Sequence, residues 1–134
     1  MPEPFRVLIA DDHPINRLVF REIFGHLECA VHDADSGEEA LLTAAINGFD
    51  LICLDRHMPG LTGDDVAAQL PKDQFVVAWS TDLTDLPARF NAVLAKPLTV
   101  ESAARAIALA RAWRDEALRV FQTPAYPKLR RLAR

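Results

Sequence analysis

The chain has 134 residues, a length that suits one domain. Half of its residues are hydrophobic, which is enough to build a core, and the formal net charge is −4. This acidic balance argues against nucleic-acid binding by the whole domain, because that function needs a basic surface.

The sequence carries no sign of a membrane or secreted protein. No apolar run reaches the length of a membrane span, and the N-terminus lacks the basic and apolar regions of a signal peptide. Cys29 and Cys53 lie in apolar runs and are interpreted as buried free thiols of a reducing compartment. We therefore expect a cytoplasmic protein with no membrane contact.

The first half of the chain alternates between strand-like and helical patterns. Residues 5–10 and 30–34 predict two strands. Between them, a helix is predicted from Pro14 to about Leu27, with proline in its first turn. Its apolar residues recur at helical spacing: Ile15, Leu18, Val19, Ile23 and Leu27. The capping-box pattern of residues 36–39 opens a second helix, which Asn47-Gly48 ends.

The second half continues the alternation. Strands are predicted over residues 51–54, 75–79 and 92–95. Thr62 and Asp65 form a capping pattern for a helix that Pro71 ends, and a long alanine-rich helix runs from Thr99 to about Phe121. Alternating strands and helices predict a parallel α/β sheet covered on both faces.

Charged residues follow three of the predicted strands. Asp11 and Asp12 follow the first, Asp55 follows the third and Lys96 follows the fifth. Adjacent carboxylates repel each other unless a cation neutralises them, and Mg²⁺ prefers carboxylates together with water and phosphate oxygens. A carboxylate is also able to attack phosphorus. The pattern therefore predicts a site that binds a divalent cation and handles phosphate.

Three motifs occur in order along the chain: Asp11-Asp12, the D-x-x-M-P-x-x-x-G stretch that starts at Asp55, and Lys96-Pro97. Together they resemble the receiver domain of two-component response regulators, over about residues 5–119. The resemblance implies a flavodoxin-like (βα)₅ fold with strand order 2-1-3-4-5. We expect a receiver domain over residues 1–121 and a basic, proline-containing tail over residues 122–134.

The resemblance also implies roles for the acidic residues. Asp55 would be the phosphoacceptor, and Mg²⁺ would be the cofactor. Asp12 would bind the ion directly and Asp11 mainly through water. Asp55 would add a carboxylate oxygen and His57 its backbone carbonyl.

Further roles follow for residues around these acids. Lys96 would pair with the phosphoryl oxygens, and the Ser80 hydroxyl would hydrogen-bond them. Thr81 competes with Ser80, but only one of two adjacent strand residues points inward, and we favour Ser80. His57 and Asp82 flank the site, where the equivalent family residues tune the lifetime of the phosphoryl group, and Thr81 is the third residue that we expect to modulate it.

The chain departs from the family between Ser80 and Lys96. This stretch is several residues shorter than usual and contains Pro87, so we expect the fourth helix to be shortened or missing. This argues against a standard output dimer. The family's aromatic switch position matches Val93, which leaves Phe90 or Trp79 as possible substitutes.

The resulting hypothesis is a phosphorylation-dependent signalling switch. A histidine kinase or histidine phosphotransfer protein would donate a phosphoryl group to Asp55, and the domain would catalyse its own phosphorylation and dephosphorylation. Output would use protein–protein contact with an unidentified protein. The alternatives are a receiver domain of a hybrid histidine kinase, an unphosphorylated pseudo-receiver and, less favoured because His57 replaces a second acid, a Mg²⁺-dependent phosphohydrolase. The basic tail is more typical of a solvated end or linker than of a binding arm.

Overall fold

The computed structural model describes residues 3–121, so the predicted tail of residues 122–134 lies outside the described part. Five strands and four helices alternate, except between the last two strands. The strands are β1 (Arg6–Ala10), β2 (Ala30–Ala34), β3 (Leu51–Asp55), β4 (Val76–Ser80) and β5 (Ala92–Ala95). The helices are α1 (Pro14–His26), α2 (Gly37–Ile46), α3 (Gly63–Gln69) and α4 (Val100–Phe121).

The five strands form one parallel sheet in the order β2-β1-β3-β4-β5, which confirms the predicted flavodoxin-like topology. The register aligns the carboxyl ends of the central strands, since Ala10 lies opposite Leu54 and Asp55 lies opposite Trp79. The residues that follow β1, β3 and β5 therefore meet at one edge of the sheet.

Each face of the sheet is covered by its own apolar cluster, because successive strand residues point to opposite faces. On one face, Ile9, Cys53 and Val77 pack with buried residues of α1 and α4. On the other face, Leu8 and Ile52 pack with buried residues of α2 and α3. Burial of the sheet on both sides explains why the central strands β1, β3 and β4 read as nearly continuous apolar runs, whereas the edge strand β2 contains His32 and Asp33.

The helix α1 is confirmed, but its buried face differs from the stripe seen in the sequence. Phe20 and Phe24 are fully buried and stack with ring centroids 4.6 Å apart. Ile15 and Leu18 are instead 74% and 59% exposed, so they form an apolar surface beside the carboxyl edge of the sheet.

The structure has no helix between β4 and β5, which confirms the prediction that this helix is shortened or missing. Residues 81–91 form turns instead, and Phe90 and Leu86 pack against the cluster that lies under α2 and α3. Val93 packs against the same cluster, whereas Trp79 belongs to the cluster on the opposite face. Phe90 therefore shares the cluster that Val93 packs against, and Trp79 does not.

The structure also bears on the expectations of buried cysteines and of no membrane span. Cys53 is buried, and burial raises the pKa of its thiol, but Cys29 is only half-buried. Of the helices within residues 3–121, none is both long enough and apolar enough to cross a membrane.

Candidate functional site

Three carboxylates converge at the carboxyl edge of the sheet. One carboxylate oxygen from each of Asp11, Asp12 and Asp55 lies within 4.8 Å of the other two. Asp11 and Asp55 are only 0% and 2% exposed, while Asp12 is half-buried. Carboxylates held this close in a buried place repel one another, so the cluster favours a bound cation.

Asp11 is held by donors from the protein. Its Oδ1 accepts a hydrogen bond from the His13 amide at 2.8 Å. Its Oδ2 accepts bonds from Asn16 Nδ2 at 3.1 Å and from the indole Nε1 of Trp79 at 2.9 Å. The Lys96 ammonium lies 3.6 Å from the same oxygen. These contacts fix the Asp11 carboxylate in one orientation.

Asp12 differs from Asp11 in having an unsatisfied oxygen. Within residues 3–121, its Oδ1 is buried and has no hydrogen-bond partner. Leaving a buried carboxylate oxygen without a partner is costly, and such an exception calls for a missing ligand. A hard divalent cation is the ligand that suits this atom, because Mg²⁺ binds carboxylate oxygens and keeps several waters. The residues present therefore fit a magnesium ion.

Asp55 is the last residue of β3, and its two oxygens have different partners. Oδ1 accepts a hydrogen bond from the His57 amide at 3.0 Å, and Oδ2 accepts one from Lys96 Nζ at 3.3 Å. Burial raises the pKa of the Asp55 carboxyl, and the Asp11 charge adds to the rise, whereas the His57 amide and Lys96 oppose it.

Lys96, which directly follows β5, contacts two of the three carboxylates. Its ammonium contacts both Asp55 and Asp11 and lies 5.3 Å from the centroid of the Trp79 ring. Only about a fifth of the side chain, 22%, is exposed. A single positive charge therefore lies against Asp55 Oδ2 and Asp11 Oδ2.

Ser80 and Thr81 occupy different environments. Ser80 is buried at the end of β4, whereas Thr81 lies beyond the strand and is exposed. The Ser80 Oγ accepts a hydrogen bond from the Asp82 amide at 3.0 Å, so its own proton remains available for donation. His57 Nε2 lies 3.6 Å from Asp82 Oδ2, and these two predicted modulating side chains are exposed, as is Thr81, the third.

Gly63 shapes the loop behind Asp55. It is the first residue of α3, and Thr62 caps that helix with a capping box to Asp65. A Cβ atom at position 63 would lie 2.1 Å from the backbone oxygen of Asp55. Only glycine allows the start of α3 to approach the end of β3 this closely.

Two residues near the site are absent from the set that the sequence predicts. Arg56 is buried and bonds the β4–β5 segment, and Trp79 donates to Asp11. For Arg56, a signal was present in the sequence. It is a charged residue directly after a buried strand, in a chain whose connection between β4 and β5 is short. The Trp79 contact spans 68 positions of sequence and left no such signal.

Comparison with known proteins gives one family. The model of the response regulator receiver domain matches residues 7–108. Sensor protein EvgS of Escherichia coli (strain K12) is 30% identical over 110 residues, covering 75% of this chain and 9% of EvgS. Sensory/regulatory protein RpfC of Xanthomonas campestris pv. campestris is 35% identical over 109 residues, covering 69% of this chain and 15% of RpfC. The chain thus spans a small fraction of the length of either relative.

Solved structures show the same fold. A CheY-like receiver domain from Methylobacillus flagellatus aligns with a TM-score of 0.74 and 25% identity, covering 81% of this chain and 99% of that one. The response regulator TrrA from Thermotoga maritima, solved in complex with Mg²⁺-BeF, aligns with a TM-score of 0.74 and 25% identity. That alignment covers 79% of this chain and 98% of TrrA. The family match, the relatives and the parallel sheet with its acidic edge agree, and the chain belongs to the response regulator receiver domain family.

Proposed function

We propose that this domain is a phosphorylation-dependent switch that accepts a phosphoryl group on Asp55. The observation that carries the proposal is the setting of Asp55: buried, paired with Lys96, and beside the unpartnered Oδ1 of Asp12. A lysine and a cation-binding carboxylate on either side of a nucleophilic carboxylate are the groups that phosphoryl transfer requires.

In the proposed reaction, a carboxylate oxygen of Asp55 attacks the phosphorus of a phosphohistidine. The new O–P bond forms as the P–N bond breaks, and the bonding pair leaves with the imidazole nitrogen. Lys96 neutralises charge on the phosphoryl oxygens, and the Ser80 hydroxyl donates a hydrogen bond to one of them. Hydrolysis by water then breaks the O–P bond, releases phosphate and restores the carboxylate.

Mg²⁺ is the metal that we assign to the acidic edge. Asp12 and Asp55 would supply carboxylate oxygens and His57 its backbone carbonyl, with Asp11 acting mainly through water. When bound, the ion neutralises charge on the transferred phosphoryl group. The four donors already around Asp11 support its indirect role, because they leave its oxygens occupied.

The proposed phosphoryl donor is a histidine kinase or a histidine phosphotransfer protein. The exposed apolar residues Ile15, Leu18 and Val19 of α1 support a docking surface next to the site. A groove of about 380 Å³ continues this surface to Lys96 and Leu98. An apolar patch of this kind beside the nucleophile suits a helical donor domain that must bring its phosphohistidine to Asp55.

The test is the intact mass of the wild-type protein and of Asp55→Asn after incubation with a small acyl phosphate, with and without Mg²⁺. The proposal expects one added phosphoryl group in the wild type, only with Mg²⁺, and none in the variant. If the wild type gains no mass with either the acyl phosphate or a phosphorylated histidine donor domain, the proposal fails and the domain is a pseudo-receiver. Equal labelling of Asp55→Asn would show that another residue is the acceptor.

A further inference from the structure

The side chain of Arg56 uses every hydrogen-bond donor that it has. Its Nε and one Nη2 proton bind the two oxygens of Asp64, each at 3.1 Å. Its Nη1 donates to the carbonyl oxygens of Asp82 at 2.8 Å and Thr84 at 2.9 Å. The second Nη2 proton binds the carbonyl of Asp85 at 3.3 Å. Five N–H groups of one guanidinium therefore meet five acceptors.

Three of these bonds go to the segment between β4 and β5, where the chain lacks a helix. A helix would satisfy most of its own carbonyls, whereas the turns of residues 81–91 leave the carbonyls of Asp82, Thr84 and Asp85 to a side-chain donor. Arg56 is 7% exposed and supplies three of those donations at once. Asp64, in the first turn of α3, neutralises the buried charge and raises the pKa of the guanidinium.

Besides the bonds to Arg56 and Ser80, residues 82–85 are joined by local bonds, since the Thr84 amide and hydroxyl both donate to Asp82 Oδ1. Asp85 has a φ of 49°, a left-handed conformation that costs free energy in a residue with a side chain. The carbonyl of that same residue is one of those bound by Arg56. The guanidinium thus holds the carbonyl of a residue in a sparsely populated backbone conformation, one that aspartate adopts more readily than most residues.

Arg56 also lies on a short path between the nucleophile and the Ser80 hydroxyl. One peptide bond joins it to Asp55. At the other end, Asp82 accepts from Arg56 through its carbonyl and donates its amide to Ser80 Oγ. The position of the Ser80 hydroxyl is therefore defined jointly by β4 and by a loop that Arg56 holds.

We propose that Arg56 is a positioning residue that holds the loop of residues 82–85, aligns the Ser80 hydroxyl with a phosphoryl group on Asp55, and transmits phosphorylation to that loop. The inference rests on the proposed function of Asp55. In a receiver without its fourth helix, this loop is then the surface that changes on phosphorylation, and Arg56 connects it to the site.

The test compares Arg56→Met with Arg89→Met. Arg89 is a matched control, since it also donates to backbone carbonyls, those of Pro71 and Gln74, and its other hydrogen bond among the described residues goes to Asn91, outside the site. For each protein, amide hydrogen exchange of residues 81–86 is measured alone and with Mg²⁺ and beryllofluoride. The rate of Asp55 phosphorylation by an acyl phosphate is followed in parallel by intact mass.

Arg56→Met is expected to speed exchange in the loop by about tenfold and to remove the slowing caused by beryllofluoride. Phosphorylation of Asp55 is expected to continue, about tenfold more slowly, because Ser80 loses its alignment. Arg56→Lys, which keeps the charge but has three donors, is expected to restore part of the beryllofluoride response. Arg89→Met is expected to keep the response and rate of the wild type.

A folded Arg56→Met protein with the loop exchange and beryllofluoride response of the wild type would overturn the inference. If that variant does not fold, Asp64→Asn removes the charge that orients the same guanidinium and lies outside the loop. Unchanged loop exchange in Asp64→Asn would equally overturn the inference. Absence of phosphorylation in the wild type would refute the function of Asp55 instead. Slow loop exchange in the wild type and fast exchange in Arg56→Met would still support the loop-holding part.

Discussion

Replacing Gly63 with alanine tests how tightly the site is built. The new Cβ would lie 2.1 Å from the carbonyl oxygen and 2.7 Å from the carbonyl carbon of Asp55. Both atoms are backbone atoms of a central strand, so no side-chain rotation relieves the contact. Reaching an ordinary separation of 3.4 Å needs a relative shift of about 1.3 Å between α3 and β3.

Inserted atoms in a packed interior typically cost about 1–3 kcal/mol, and a backbone contact lies at the upper end of that range. We therefore expect Gly63→Ala to lower the free energy of unfolding by about 3 kcal/mol and Tm by about 10 °C. The shift also displaces Asp55, so phosphorylation by an acyl phosphate should slow in the protein that remains folded.

The assay is thermal and urea denaturation at neutral pH, with Gly25→Ala as the matched control. Gly25 lies within α1, and a Cβ there would meet no atom within 4 Å. Alanine at that position should raise the free energy of unfolding by about 0.5–1 kcal/mol, because glycine weakens helices. A Tm of Gly63→Ala within 2 °C of the wild type, on the order of the measurement error, would refute the close-packing account.

Three further predictions concern the acidic edge. Trp79→Phe keeps an aromatic ring but removes the hydrogen bond to Asp11, so urea denaturation should show a loss of about 2 kcal/mol. An unchanged midpoint would mean that the indole bond contributes nothing. Asp12→Asn should weaken Mg²⁺ binding by at least about tenfold in isothermal titration, because the unpartnered oxygen loses its charge. Burial raises the pKa of Asp55, so its favourable contribution to stability is full below the ordinary pKa and is lost as pH rises through the folded-state value. Without Mg²⁺, Asp55→Asn should therefore raise Tm at pH 7 and raise it less at pH 4, and a larger gain at pH 4 would contradict the sign.

Much of the site follows from the order of strands and charges along the chain. Asp11, Asp12, Asp55 and Lys96 lie at the ends of apolar runs, and parallel strands bring such ends to one edge. Ser80 and Thr81 differ because Ser80 is the last buried residue of β4, whereas Thr81 lies beyond the strand and is exposed. These features depend on local patterns and on a topology with few alternatives.

Other features depend on contacts between distant parts of the chain. The apolar stripe of α1 predicted the helix but not its buried face, because Phe20 and Phe24 pack against the sheet and leave Ile15 and Leu18 exposed. The short β4–β5 segment predicted the loss of a helix, yet nothing in it showed what would bind its carbonyls.

The sequence by itself determined a parallel sheet with four charged residues at its strand ends, because periodicity and strand ends are local properties. The strand order came from the resemblance to receiver domains, and the structure confirms it. Only the tertiary structure decided that Trp79 donates to Asp11 and that Arg56 binds backbone carbonyls of the segment between β4 and β5. Both are hydrogen bonds between residues far apart in sequence. Their geometry depends on side-chain directions that exist only after the elements have packed.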